Sequence, residues 1–187
     1  MRVVLLLLAV VAGSALVGAT SAPAVADNPL CSSVSSDSAP DAVTFGSGPL
    51  GQLDVREAQR LVERTAPDGP PVRVAVLDSG VDDTHIPVVA RHSAAGGGAV
   101  TFFHGTAVAG LVAGQPRDDG TEVGIAPDAQ VVDVRVYDGV DDEDGEPLTP
   151  DGLAAGLEWV STHAGDLGIR VANVSLAVDP SPRLERA

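Results

Sequence analysis

Lysine is absent: all 11 basic residues are arginine, set against 26 acidic ones for a formal net charge of −15. No basic face is available to neutralise phosphates, which excludes nucleic-acid binding. The acidity fits a protein kept soluble outside the cell. Aromatic residues are scarce at 3%, so any core is built mainly from Val, Leu and Ala. There is one cysteine, Cys31. A lone cysteine in an exported chain points either to a partner elsewhere or to a free thiol, and this fact alone leaves both open. What is present in quantity is apolar: 44% of the 187 residues, enough for a real core and too much for general disorder.

The N-terminus has the form of a signal peptide. Arg2 supplies the positive start, Val3 to Ala12 is an apolar run, and Ala24-Val25-Ala26 offers the small-x-small pattern a signal peptidase cuts after. The run to Val17 contains Gly13 and Ser14 and is short for a membrane span. The expected organisation is therefore a signal peptide at 1–26, an extended arm at 27–53 rich in Ser, Pro, Gly and Asp, and a folded region at 54–187. The mature protein would be secreted or held in the cell envelope.

Within the folded region, Asp54 is placed to cap a helix with Ala58, Leu61 and Val62 on one side, stopped by the Pro-rich stretch at 67–71. Val72 to Leu77 (VRVAVL) reads as a buried strand ending at Asp78-Ser79-Gly80. Residues 82–99 read as loop. His104 to Gly114 (HGTAVAGLVAG) reads as a helix packed tightly on a sheet through small residues. A second strand is expected over Val131 to Val136. A helix opening at Thr149-Pro150 carries an apolar stripe of Leu153, Leu157 and Val160. Ile169 to Leu176 is expected as a third, buried strand. Strands alternating with helices argue for an α/β fold with a central parallel sheet.

Two residues stand where chemistry is expected. Asp78 lies where a buried strand gives way to glycine, at the carboxyl end of a parallel sheet, where open α/β folds place their sites. His104 opens a helix, with Gly105 beside it leaving room for a neighbouring segment. A general base needs one ring nitrogen for a proton and a carboxylate on the other, and Asp78 and His104 can form that pair. The chain order, Asp before His, is the one subtilisin uses.

DSG at 78–80, HGTAVAG at 104–110, GIAPDA at 124–129 and NVSL at 173–176 together resemble the successive landmarks of the subtilisin-like (S8) serine peptidases. The resemblance implies a three-layer subtilisin-like fold, incomplete at its C-terminal side. It implies Asp78 as triad acid and His104 as general base. Asn173, Ser175 and Leu176 would lie in the segment whose backbone pairs with an extended peptide or protein substrate. Where the family has Gly-Gly after that segment, this chain has Ala177 and Val178, so specificity is expected to differ. The family's oxyanion-hole Asn and Gly-Thr-Ser nucleophile lie further downstream than this chain reaches, so the expectation is an endopeptidase truncated before its nucleophile and inactive as it stands. The alternative is a non-catalytic, peptide-binding relic of a protease.

A narrower resemblance, to mycosins, rests on the arm with its cysteine, DVREAQRLVER before the first strand, and GQPRDDGTEVGIAPDAQ after the His helix. It implies association with type VII secretion machinery, a disulfide-bonded arm and a C-terminal membrane anchor, with the anchor and the partner of Cys31 both beyond Ala187. Other signals weigh less. The acidic stretch Asp138 to Glu146 fails as an EF-hand, because Val140 would fall at the first ligand position. His85, His92 and His163 lack metal-ligand spacing with one another or with Cys31. No metal or cofactor is expected. The Asn173-Val174-Ser175 sequon is discounted for lying in an expected buried strand.

Overall fold

The computed structural model describes residues 48–121, 123–139 and 145–187. The expected leader, most of the arm with Cys31, and the tip of the acidic stretch at 140–144 lie outside the described residues. In chain order the elements are α1 (Gly48–Gln52), α2 (Val55–Thr65), β1 (Arg73–Asp78), β2 (Val88–Ser93), α3 (His104–Ala113), β3 (Gln130–Arg135), α4 (Pro150–Leu167) and β4 (Ile169–Val174), closed by a 3-10 turn at Leu184–Arg186.

The four strands form one parallel sheet in the order β2-β3-β1-β4. Side chains alternate along each strand, so β1 divides its residues between two faces. Val74 and Val76 join Val81, Ala109, Ala113 and Val131 in a core beneath α3. Ala75 and Leu77 join Val132, Val134, Val136, Leu153 and Val160 in a core beneath α4. The result is the expected three-layer α/β architecture. After β1 the chain runs to one side of the sheet, to β2; after β3 it crosses to the other, to β4. The carboxyl ends of β1 and β3 therefore flank the switch point, where such sheets open a crevice.

Each helix has a local reason. In α3 the buried residues are Gly105, Ala109 and Ala113, a small-residue stripe at helical spacing that lets the backbone lie close to the sheet. In α4, the Thr149 hydroxyl accepts the Gly152 N–H, Pro150 occupies the first turn, and Gly168 ends the helix in the left-handed conformation (φ 62°).

Four expectations need correction. The 82–99 segment contains strand β2. Its alternating half-burial at the sheet edge, in the mixed sequence VVARHS, carries no continuous apolar run to mark it. Asp54 does not cap α2 through its side chain and instead takes a left-handed backbone (φ 53°). Of the apolar face assigned to that helix, Leu61 and Val62 are more than half exposed, and only Val55 is buried. Strand β4 ends at Val174 and is largely exposed rather than buried, because its outer edge pairs with no strand among the described residues.

Edge strand β2 is tied to α4 by an aromatic stack. The His92 ring stacks on Trp159 with centroids 4.4 Å apart, and the His163 ring stacks on the same indole at 4.5 Å. Burial, reinforced by His163, holds the His92 pKa below its ordinary 6.5. The unfolded chain therefore binds more protons than the folded one below that pH, and His92 contributes stability that is present above 6.5 and is lost on acidification. Denaturant unfolding of the wild type is expected to weaken from pH 7 towards pH 5 more steeply than that of His92→Phe. Parallel pH dependences would contradict the stack.

Candidate active site

Strand β1 delivers Asp78 to the carboxyl edge of the sheet. Period two turns its side chain to the face shared by Val74 and Val76, the face α3 covers. His104 is the first residue of α3, so the helix start and the strand end meet. The Nδ1 of His104 lies 2.8 Å from Oδ1 of Asp78. The carboxylate is fully buried, whereas the imidazole remains 39% exposed. An ionised carboxylate only accepts, so Nδ1 carries the donated proton and Nε2 is the ring nitrogen left to take another.

The DSG motif does more than end the strand. The Ser79 N–H donates to Oδ1 of Asp78 at 2.8 Å. The Ser79 hydroxyl donates to the Phe102 carbonyl and accepts the Gly105 N–H, each at 3.0 Å. One side chain thus joins the segment entering α3 to the first turn of that helix. Gly80 adopts a positive φ of 95°, a backbone that favours glycine. Gly105 has no room for a side chain: a Cβ there would press into the Gly80 carbonyl and lie 3.1 Å from Asp78 Cβ. Thr106 adds a further tie, its hydroxyl accepting the Asp82 N–H at 2.9 Å.

Three residues beside this pair went unassigned in the sequence reading. Tyr137 places its hydroxyl 3.3 Å from Oδ1 of Asp78. Arg135, only 6% exposed, donates to the carbonyls of Gly98 and Ala99 at 3.3 Å and pairs with Asp138 at 3.2 Å. It thereby anchors the segment leading to His104. Arg91 binds the Val81 carbonyl and the buried Asp133 carboxylate, whose pKa burial pushes up against the pull of Val81 and Arg91. A signal existed for Arg135 and for Asp133, the partner of Arg91: they are charges at alternate positions of an otherwise apolar strand, VVDVRV, which demands buried partners on one face.

The predicted substrate-segment residues divide. Asn173 belongs to β4, whereas Ser175 and Leu176 follow its end. The Ser175 hydroxyl donates to the Asn173 side-chain oxygen at 3.0 Å. Leu176 packs its side chain against the α4-side core. Among the described residues no three His, Cys, Asp or Glu side chains gather as a metal site.

The profile of the subtilase family (peptidase S8) matches residues 69–185. The chain belongs to the subtilase family. Among subtilases it is similar to mycosin-1 of Mycobacterium tuberculosis, with 31% identity over 122 residues that cover 58% of this chain and 27% of the relative. It is 40% identical to mycosin-3 of the same organism over 77 residues, 38% of this chain and 16% of the relative. A solved structure of MycP1, described as a serine protease and an essential component of the type VII (ESX-1) secretion system, superimposes with a TM-score of 0.54 at 25% identity, covering 73% of this chain and 40% of that one. The matched part thus spans about a quarter of mycosin-1 and well under half of the solved MycP1 chain. The family match leaves α2 outside it.

Gly105→Ala is expected to drive the start of α3 away from β1 and to destabilise the fold by about 1–3 kcal/mol, the usual cost of overpacking. Urea unfolding measures it. A loss below about half a kcal/mol would show that the close approach does not constrain the fold.

Proposed function

We propose that Asp78 and His104 are the acid and general base of a serine endopeptidase triad. The observation that carries the reading is the 2.8 Å bond between His104 Nδ1 and a fully buried Asp78 carboxylate. In that arrangement Asp78 fixes the ring's tautomer and orientation. Nε2 takes the proton of an attacking serine, and the buried carboxylate stabilises the imidazolium that results. The proton then passes to the leaving amine.

The nucleophile is assigned to sequence outside these 187 residues. Gly-Thr-Ser does not occur downstream of β4, and Ser175 is bound to Asn173 in the segment assigned to substrate. Asn173, Ser175 and Leu176 present backbone for antiparallel pairing with an extended peptide. A cleft of about 440 Å³ lined by Leu148, Pro150, Ala177, Val178 and Asp179 opens next to that segment and suits a substrate side chain. Ala177 and Val178 stand in its wall, so replacing the family's glycines narrows what it admits. The protein is assigned to the outer side of the membrane, after cleavage following the Ala24-Val25-Ala26 pattern, and, on the strength of its similarity to mycosins and MycP1, to the company of type VII secretion components.

The test is proteolysis of an unstructured protein by two forms. The 187-residue chain is expected to show no turnover, since removing the nucleophile costs about 10⁶ in subtilisin, itself a family member, and lack of an oxyanion donor costs a further 10² to 10³ or so. A longer form carrying the Gly-Thr-Ser segment is expected to cleave, and to lose about 10⁴-fold or more in kcat on Asp78→Asn or His104→Ala. Activity in the longer form that survives both substitutions would sink the triad assignment. Activity in the short chain would sink the assignment of the nucleophile.

A further inference from the structure

Oδ1 of Asp78 receives more than the two donors the triad reading uses. It accepts the Ser79 N–H and faces His104 Nδ1, both at 2.8 Å, and the Tyr137 hydroxyl stands 3.3 Å away. The second carboxylate oxygen, Oδ2, is buried without a hydrogen-bond partner among the described residues. Because an ionised carboxylate cannot donate, the phenol must. The chain's charge acceptor is therefore loaded on one oxygen by three elements: the end of β1, the start of α3 and the exit of β3.

The phenol is held there by packing. Tyr137 is 5% exposed and its ring meets Phe102 edge-on, with centroids 5.9 Å apart at 60°. Phe102 is itself tied to the site, since its carbonyl accepts the Ser79 hydroxyl and it stands two residues before His104. Tyr137 thus cannot shift without disturbing the segment that presents the imidazole. Burial, and then the adjacent Asp78 carboxylate, push the Tyr137 pKa well up, so the hydroxyl keeps its proton wherever a serine peptidase would work.

We propose that Tyr137 is a positioning residue for the Asp78–His104 pair, its hydroxyl donating to the carboxylate oxygen that holds Nδ1 and so fixing the carboxylate's rotation and sharing its charge. The inference rests on the reading of Asp78 and His104 as triad acid and base. An oxygen that serves three donors binds each more weakly than one that serves two. The phenol therefore moderates how strongly Asp78 draws on the imidazole, and it keeps Oδ1 rather than Oδ2 turned to His104.

The Nδ1–H resonance of His104 in the ¹⁵N-labelled 187-residue chain reads this directly. Tyr137→Phe keeps the ring and its packing on Phe102 but removes the donor, and the resonance is expected to move downfield as the His104–Asp78 bond strengthens. Asp78→Asn is expected to abolish it. A resonance that Asp78→Asn removes but Tyr137→Phe leaves in place overturns the role of Tyr137 while keeping the pair. A resonance indifferent to Asp78→Asn overturns the pair itself. Should Tyr137→Phe not fold, a second measurement decides. Tyr137 is the chain's sole tyrosine, so phenolate absorbance on alkaline titration reports it alone. Asp78→Asn is expected to lower its midpoint by about one pH unit, and an identical titration in both proteins overturns the contact.

Discussion

The structure is arranged around one buried charge. Asp78 has no exposed surface, and a carboxylate taken out of water is tolerated only where donors replace its hydration. Three converge on it: the backbone of Ser79, the ring of His104 and the hydroxyl of Tyr137. They come from different elements and all meet Oδ1, so the three contacts form only when β1, α3 and the exit of β3 are all in place. Satisfying the charge and assembling the site are therefore one requirement.

That requirement explains the small residues. For the first turn of α3 to reach the end of β1, the helix must lie almost on the strand. Gly105, Ala109 and Ala113 are the buried positions, and none has a side chain long enough to hold the layers apart. Phe103, Phe102 and the glycine-rich stretch before them must also turn sharply into the helix. Arg135 supports that turn from below through the Gly98 and Ala99 carbonyls. Arg91 does similar work beneath the loop after β1, joining the Val81 carbonyl to Asp133 and, at 2.9 Å, to Asp83. The charges inside the sheet thus brace the loop after β1 and the segment that leads to His104.

Membership of the subtilase family follows from the sequence profile over residues 69–185, and the parallel α/β sheet agrees with the solved MycP1 chain it superimposes on. The pair geometry supplies what the family match does not: a carboxylate and an imidazole at bonding distance, one fully buried and the other partly open. Such a pair lowers a barrier only for a nucleophile held against the free ring nitrogen. On the open side of the sheet, β4 exposes Val171 and Val174, and the segment after it runs on beside the Leu148–Pro150 cleft.

Much of this was legible in the residues. Apolar, β-branched runs specified β1 and β3, because both strands are buried on two faces and need no alternation. Thr149-Pro150 and Gly168 marked the ends of α4 through backbone chemistry that is local. The motifs named Asp78 and His104, since the type of residue and its neighbours are what chemistry requires. Strand β2 and the exposure of β4 were not legible, for an edge strand's pattern depends on which neighbours it has, and those come from distant sequence. The apolar residues of α2 misled for the same reason: a stripe shows what a helix could bury, not whether a partner arrives. The sequence by itself determined the α/β class and the family, and it singled out Asp78 and His104 as the proposed acid and base. Only the tertiary structure decided that Tyr137 joins them, that Arg135 steadies the approach to His104, and that Leu176 turns its side chain inward. Those are contacts between segments far apart in the chain, and no local pattern encodes a distance across a folded core.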